Sequence, residues 1–383
     1  MRLLLVLLSL ALGACGTDKP IDFTCARINE FLVPVPVTPG GGVGLFPEAL
    51  DSVFAEAASA RRAGVVSQVA PATNILVLSG GGKWGAYGAG LLEGWSSAED
   101  PQPSRRPTFD VVTGISTGAL QSTFAFIGSS ADPDLVSAYT IDHERELVKR
   151  HGKLFFLTHG STASLKPLVE YARSRAEPYY ERVADEYRLR QRRLLVGAVN
   201  ALDGKMYAID LTRIAAELDG KERSDCYVGA LLAAAAIPVV FKQVTINGVP
   251  YFDAGVRHSV FLAGLKNSAV RGLGRSERQG NLFVLVNGVP GAAEVKRVKP
   301  TIFGALGRLR EITFDQIEQS SVYAVSQEAP GLNTWVASTP KMHGCDDNSS
   351  DEDIFNPAFM RCLIEKGRKS WSGRGPWRPF PGA

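Results

Sequence analysis

A chain of 383 residues with 45% hydrophobic and 21% charged side chains has a globular composition and reads as one large domain, or one domain with extensions, around a sizeable core. Its 42 basic and 39 acidic residues leave a net charge of +3, too little field to hold nucleic-acid phosphates, so nucleic acid is excluded as an expected partner. The one dense basic run, Arg188, Arg190, Arg192 and Arg193, reads first as a solvated helix face and second as a contact for anionic lipid headgroups.

In chain order, Arg2 precedes an apolar run from Leu3 to Leu12 that is too short to span a bilayer comfortably but suits the core of a secretory signal. Residues 1–14 are therefore read as a signal peptide and the protein as exported. The run ends in LGAC, Leu12 to Cys15, which resembles a bacterial lipobox: small residues before a cysteine that is acylated and then begins the mature chain. The alternative is ordinary cleavage nearby, with Cys15 incidental. On the lipobox reading the protein is a lipoprotein anchored to membrane at the cell envelope, and Gly16 rather than Asp after the cysteine leans toward the outer membrane. Cys25, Cys226, Cys345 and Cys362 then remain, an even number in a compartment where disulfides form. Cys345 and Cys362 close a short segment and are the first pairing expected, although sequence alone leaves the other pairings open. No C-x-x-C or H-E-x-x-H spacing occurs, so neither a metal site nor another cofactor is expected.

Residues 31 to 48, rich in Pro and Gly, read as a tether, so that 15–48 is anchor and linker. A helical pattern from Ala49 to Ala63 leads to a strand at Ile75 to Leu78, and Leu91, Leu92 and Trp95 are spaced for a helix after Gly85. A second short apolar run, Phe109 to Val112, is followed by a turn and a helix to about Phe126. Leu194 to Val199 and Lys205 to Ile209 flank ALDG as a hairpin, Leu231 to Ala236 is a small-residue helix ended by Pro238, and Val244 to Phe252 around Asn247-Gly248 is another hairpin. Leu282 to Val286, closed by Asn287 and Gly288, is one more buried strand. Strands alternating with helices imply an α/β fold whose sheet is covered on both faces.

Two glycine-bearing motifs sit at strand ends. Gly80, Gly81 and Gly82 stand where an apolar strand meets a helix, a place where exposed backbone N–H groups or unusual dihedrals are required. GISTG, Gly114 to Gly118, follows a strand and opens a helix. With 39 glycines a chance Gly-x-x-x-Gly should arise roughly four times, so the strand–turn–helix context carries the signal. There Ser116 would sit on a strained elbow, flanked by glycines because side chains would collide with the adjoining strand and helix. A serine needs a base. His258 would make a Ser-His-Asp hydrolase, whereas Asp253, at the exit of the second hairpin, would make a dyad. The triad is disfavoured because a single convincing strand precedes the glycine cluster and only 34 residues separate Gly82 from Ser116.

Together GGGKWG at Gly80 to Gly85, GISTG, and DAG at Asp253 to Gly255 resemble the patatin-like phospholipases in order and spacing, over about Ile75 to Gly288. The resemblance implies a three-layer α/β/α fold with a mainly parallel central sheet, a hydrolase domain over 49–290 and a C-terminal extension over 291–383. It implies a serine acyl hydrolase acting on phospholipids, lysophospholipids or related lipids through a Ser-Asp dyad and an acyl-enzyme. Ser116 and Asp253 would be catalytic, Gly80, Gly81 and Gly82 would form the oxyanion hole, and Gly85, Gly114, Gly118 and Gly255 would support the motifs. Two positions depart from the pattern: Trp84 stands where the family usually carries Arg or Lys, with Lys83 one place earlier, and Ala254 replaces the middle glycine of the aspartate motif. The competing readings are a carboxylesterase using His258 and an inactive surface lipoprotein that binds lipid or protein. Asn74, Ser79 and Thr113 are expected to satisfy local backbone groups. Thr301 to Gln327 carries a helical pattern whose default role is packing on the sheet, with covering of the active-site cleft and lying at a membrane surface as alternatives, and the tail after Cys362, with Trp371, Trp377 and Phe380, reads as unfolded or draped. Oligomeric state is left open.

Overall fold

The structure, a computed structural model, describes residues 20–35, 73–151, 161–262, 280–291, 301–328, 332–347, 354–372 and 375–380. The signal segment, Cys15 and the helical pattern at Ala49 to Ala63 lie outside the described residues.

Two short strands, β1 (Ile21–Phe23) and β2 (Leu32–Pro34), precede β3 (Thr73–Leu78), and α1 (Gly85–Ser97) follows the glycine cluster. Then come β4 (Val111–Gly114), α2 (Thr117–Ile127), α3 (Asp132–Tyr139), α4 (Lys166–Ala176) and α5 (Tyr180–Arg190). The hairpin β5 (Arg193–Asn200) and β6 (Met206–Asp210) leads to α6 (Leu211–Glu217) and α7 (Gly220–Ala233), and a second hairpin joins β7 (Val244–Ile246) to β8 (Val249–Asp253). The chain closes with β9 (Gly280–Val286), the long α8 (Ile302–Glu328), β10 (Leu332–Ser338), α9 (Pro357–Lys369) and β11 (Arg378–Pro379).

All these strands belong to one sheet in the order β1-β7-β8-β5-β4-β3-β9-β10-β11, with β6 paired to β5 and β2 to β6. The central five, β10-β9-β3-β4-β5, are parallel. That is why β3 and β9 read as unbroken apolar runs: both of their faces are buried. Leu76, Leu78, Phe283 and Leu285 point into a core beneath α1, α2, α7 and α9, while Ile75, Val77, Leu282, Val284 and Val286 face a smaller core closed by Ala254, Val260 to Leu262 and Val325. The architecture is a mainly parallel sheet between two helical layers.

Three expectations from sequence differ from what folds. The beginning of the expected tether is part of the sheet: β2 pairs with β6, Phe31 is fully buried, and Cys25 is bridged to Cys226 on α7. The C-terminal extension is not separate, because β10 continues the parallel sheet beside β9 in full register and α9 packs on α1. There the two helices meet backbone to backbone, for a Cβ on Gly90 would lie 2.0 Å from the Ile364 carbonyl oxygen and one on Gly367 2.3 Å from that of Tyr87. The tail tryptophans are ordered by this contact. Trp371 stacks on Trp95 with ring centroids 5.5 Å apart, its indole N–H donates to the Leu91 carbonyl at 2.8 Å, and Trp377 is buried against the same ring. Cys345 and Cys362 are bridged, the pairing expected first.

The basic run also divides. Arg188 and Arg190 lie on the surface of α5. Gln191 then takes left-handed dihedrals and ends the helix, which turns Arg192 and Arg193 inward to 3% and 2% exposure. Arg192 caps the end of α2 by donating to the Phe126 carbonyl and pairs with Glu186 at 2.8 Å, and Arg193 lies over the Tyr187 ring. The solvated-face reading therefore fails for these two.

Candidate active site

The sheet brings the two reacting candidates together. Gly114 of β4 pairs with Val196 of β5, and two residues further along the same edge of β5 Ala198 pairs with Asp253 of β8, the opposite edge being taken by β6, so β4 and β8 end facing one another and bring Ser116 and Asp253 together. Ser116 has φ 55° and ψ −124°, the strained elbow expected of it, and its backbone N–H donates to the Ala234 carbonyl at 3.0 Å. The elbow fits because its flanking residues lack side chains: a Cβ on Gly114 would come 2.4 Å from the Gly118 carbonyl oxygen, and one on Gly118 2.4 Å from that of Leu78. Helix α2 starts at Thr117 and aims its positive end at the serine.

Asp253 is 2% exposed. Burial pushes its carboxyl up to about 6, against the opposing pull of hydrogen bonds from the Ser116 hydroxyl and the Gly255 N–H. The latter is 2.7 Å long and fixes one carboxylate oxygen. Ala254 costs nothing here: it opens a 3-10 turn, Ala254–Val256, and has no positive φ, so the missing glycine removes no conformation the site uses. His258 is half-buried, its imidazole held below its ordinary range by burial and by Arg257, and among the described residues no hydrogen bond joins it to Ser116 or Asp253.

Of the three loop glycines, Gly80 lies beside the serine, since a Cβ there would be 3.3 Å from the Ser116 Cβ. Its N–H already donates to the Ser259 carbonyl at 3.3 Å, which removes Gly80 from the expected donor set and leaves it a spatial role. The N–H groups of Gly81 and Gly82 donate to no group among the described residues. Gly81 has φ +149°, and a Cβ on it would fall 1.7 Å from the Asn287 carbonyl oxygen, so no other residue fits. Gly85 packs against Thr117, whose hydroxyl oxygen would be 2.2 Å from an added Cβ.

Behind the loop lies a polar network that sequence reasoning missed. Asn287, at the end of β9, donates from its side-chain amide to the Ser79 carbonyl and to Gln121 Oε1, each at 2.9 Å. Its backbone N–H donates to Ser79 Oγ at 2.8 Å, and Ser79 Oγ donates to the Gly80 carbonyl at 2.7 Å. Gln121 donates to the Gly85 carbonyl at 2.6 Å. Asn287 and Gln121 are fully buried, so this network ties β3, β9 and α2 to the glycine loop. The available signal was an Asn ending a buried parallel strand, which sequence alone reads as a turn residue. Ser79 serves a local backbone group as expected, donating to the Gly80 carbonyl, whereas the Thr113 hydroxyl reaches a distant one, the Phe261 carbonyl at 3.0 Å.

In front, the C-terminal segment holds the residues that follow the loop. Lys83 pairs with Asp347 and lies over the Phe359 ring, while Trp84 meets the rings of His343 and Phe359 edge-on at 5.3 and 5.0 Å. The cation is thus turned toward the C-terminal segment and Trp84 is a packing residue. On α8, Glu318 lies beside Gly288, and burial together with Asp315 pushes its carboxyl up to about 7. Among the described residues no cluster of three His, Cys, Asp or Glu could hold a metal ion. A cavity of about 290 Å³ bordered by Trp95, Arg106, Phe126 and Arg192 lies at the opposite ends of β4 and β5.

A family model described as patatin-like phospholipase matches residues 76–265. The crystal structure of VipD from Legionella pneumophila is similar over 81% of this chain and 68% of that one, with 10% identity and a TM-score of 0.40. Comparison with curated proteins gives no match. The glycine loop, the Ser116 elbow and Asp253 all fall inside the matched span, and residues 76–265 of this chain are a patatin-like phospholipase domain, of a family of lipid acyl hydrolases.

Proposed function

We propose that this protein hydrolyses acyl esters of phospholipids, lysophospholipids or related lipids with a Ser116–Asp253 dyad, and that it does so as an exported lipoprotein anchored through Cys15 at the cell envelope. The observation that carries the reading is the strained Ser116 elbow brought by the sheet beside a buried carboxyl whose ionisation falls at about 6, close enough to neutrality to take a proton. A free aspartate near 3.9 would be a feeble base.

In the proposed reaction Ser116 Oγ attacks the ester carbonyl carbon while its proton passes to Asp253. The carbonyl oxygen becomes an oxyanion and accepts from the Gly81 and Gly82 N–H groups, donors of a kind whose loss typically slows a hydrolase about a hundred- to a thousandfold. As the intermediate collapses, the bond to the alcohol breaks and Asp253 returns the proton to the leaving oxygen. Water then attacks the acyl-enzyme, giving one proton to Asp253 and onward to Ser116 Oγ, and the free acid departs. Two disulfides, Cys25–Cys226 and Cys345–Cys362, support an oxidising compartment.

The test is labelling by a fluorophosphonate probe in the presence of detergent, with the modified residue mapped. Labelling at Ser116 should vanish in Ser116→Ala, collapse in Asp253→Asn, and persist in His258→Ala. Loss of labelling in His258→Ala with Asp253→Asn still reactive would transfer the base to the histidine, and no labelling of folded protein would make it a binding protein.

A further inference from the structure

Helix α8, Ile302–Glu328, lays one face over the catalytic end of the sheet. The Phe314 ring would lie 3.4 Å from a Cβ on Gly255, whose N–H fixes the Asp253 carboxylate. Ser321 Oγ accepts from the Ser259 N–H at 3.1 Å, and the Ser259 carbonyl in turn holds the Gly80 N–H. Glu318 stands four positions after Phe314 and three before Ser321, on the same face. Its Oε2 would be 3.6 Å from a Cβ on Gly288, the residue after Asn287, whose carbonyl oxygen closes on Gly81. The carboxyl is thus set between the cradle of the base and the glycine loop, half-buried, and no step of the proposed reaction uses it. Among the described residues it makes no hydrogen bond or ion pair, and the charge that acts on it is that of Asp315, another acid.

The cations near the site leave this charge standing. Lys83 is held by Asp347. Arg257 reaches toward the turn between β5 and β6, where its Nη2 would be 4.0 Å from a Cβ on Gly204, and β4 and β3 separate β5 from β9, whose end Glu318 faces. An unpaired carboxyl is a costly neighbour for an apolar acyl chain, so the side of the site under α8 suits the polar alcohol part of an ester. We infer that Glu318 determines specificity by the charge of that alcohol: esters bearing a cation near the scissile bond are favoured, and esters bearing an anion there are rejected. The inference rests on the acyl-ester reading and narrows its substrates, lipids with a cationic headgroup being taken ahead of those whose net charge is negative. Attraction of one sign and repulsion of the other both enter the ratio of the two rates, so a single carboxylate discriminates twice.

The experiment uses the full chain in neutral detergent and two soluble butyrate esters, one of choline and one of isethionate, which differ in the sign of the charge on the alcohol. Ser116→Ala supplies the blank. The assay is run at low ionic strength and about pH 8, above the value of about 7 to which burial and Asp315 push the Glu318 carboxyl, so that it is charged. The parent should show the higher kcat/KM on the choline ester. Glu318→Gln should lower the ratio of the two kcat/KM values by about tenfold, and Glu318→Asp, which keeps the charge, should retain most of it. Glu311→Gln, which removes an acid paired with Arg308 elsewhere on the helix, should leave the ratio as it is. In the parent itself the ratio should shrink as ionic strength is raised from about 10 mM to about 500 mM, a readout that needs no variant to fold. A ratio unchanged in Glu318→Gln, even with both rates lowered, overturns the inference while hydrolysis stands, as does a parent that prefers the isethionate ester. Absence of Ser116-dependent turnover of either ester would sink the enzymatic reading and this inference with it.

Discussion

Replacing Asp253 by Asn should abolish turnover and at the same time stabilise the protein at neutral pH. Asp253 is 2% exposed, and no cation is among the groups acting on it; its native carboxyl titrates at about 6 against an ordinary 3.8 because burial disfavours the charge. Ionising it in the folded state therefore costs about 3 kcal/mol more than in water, and burial leaves little solvent screening to discount. The sign follows from proton counts. Between the two values the unfolded chain has lost the proton and the native chain keeps it, so wild-type stability falls as pH rises through that window. Asn has no charge to bury, and its amide oxygen can still accept from the Gly255 N–H. The difference in unfolding free energy between Asp253→Asn and wild type, from urea titrations with disulfides intact, should widen by about 3 kcal/mol from about pH 4 to about pH 7.5, all in favour of the variant. Subtracting the two curves removes every other titrating group. A gap that stays constant, or narrows as pH rises, would refute the claim that a desolvated carboxylate is what the fold maintains here.

Further outcomes follow from the same geometry. Wild-type acylation should rise as pH increases through about 6, since only ionised Asp253 takes the serine proton, and a rate already maximal at pH 5 would contradict its role as base. Asn287→Ala leaves the Ser79 carbonyl and Gln121 Oε1 without their donor, at about 1–3 kcal/mol each; kcat on a short-chain ester should fall more than KM rises, and unchanged kcat would show that the network does not hold the loop. Cys345→Ser/Cys362→Ser should cost about 2–4 kcal/mol in denaturant titrations and slow turnover, because His343 and Asp347 steady Trp84 and Lys83 from inside or beside the bridged segment. Full activity in that variant would separate the bridge from the site.

Much of the site was legible because its signals are local. Gly114, Ser116 and Gly118 act within one strand–turn–helix unit, and their spacing states the elbow before any tertiary contact is known. The runs Ile75 to Leu78 and Leu282 to Val286 declared strands because burial on both faces leaves an unbroken apolar run, and they pair in parallel in the sheet. The two hairpins were marked by turns at ALDG and Asn247-Gly248, and the first of these pairs β5 with β6 as read. A chain order of loop, nucleophile and aspartate sufficed to state the family resemblance.

What tertiary structure decided are the partners of polar and aromatic groups. Arg192 and Arg193 belong to a run that looks solvated, and only the αL turn at Gln191 and the carbonyls at the end of α2 bring them inside. Trp371 and Trp377 follow no periodic pattern, and they are ordered because Gly90 and Gly367 let two helices touch far apart in sequence. Gly80 could not be separated from Gly81 and Gly82 until Ser259 was seen to occupy its N–H. Asn287 reads as a turn residue until β9 is placed beside β3. Sequence determined by itself the strands and helices that carry the motifs, the elbow and the types of the reacting groups, since these depend on neighbours a few positions away. Which donors are already spent, and whether a carboxyl is dry enough to act as a base, depend on groups brought together by the sheet, and desolvation has no local signature in the chain.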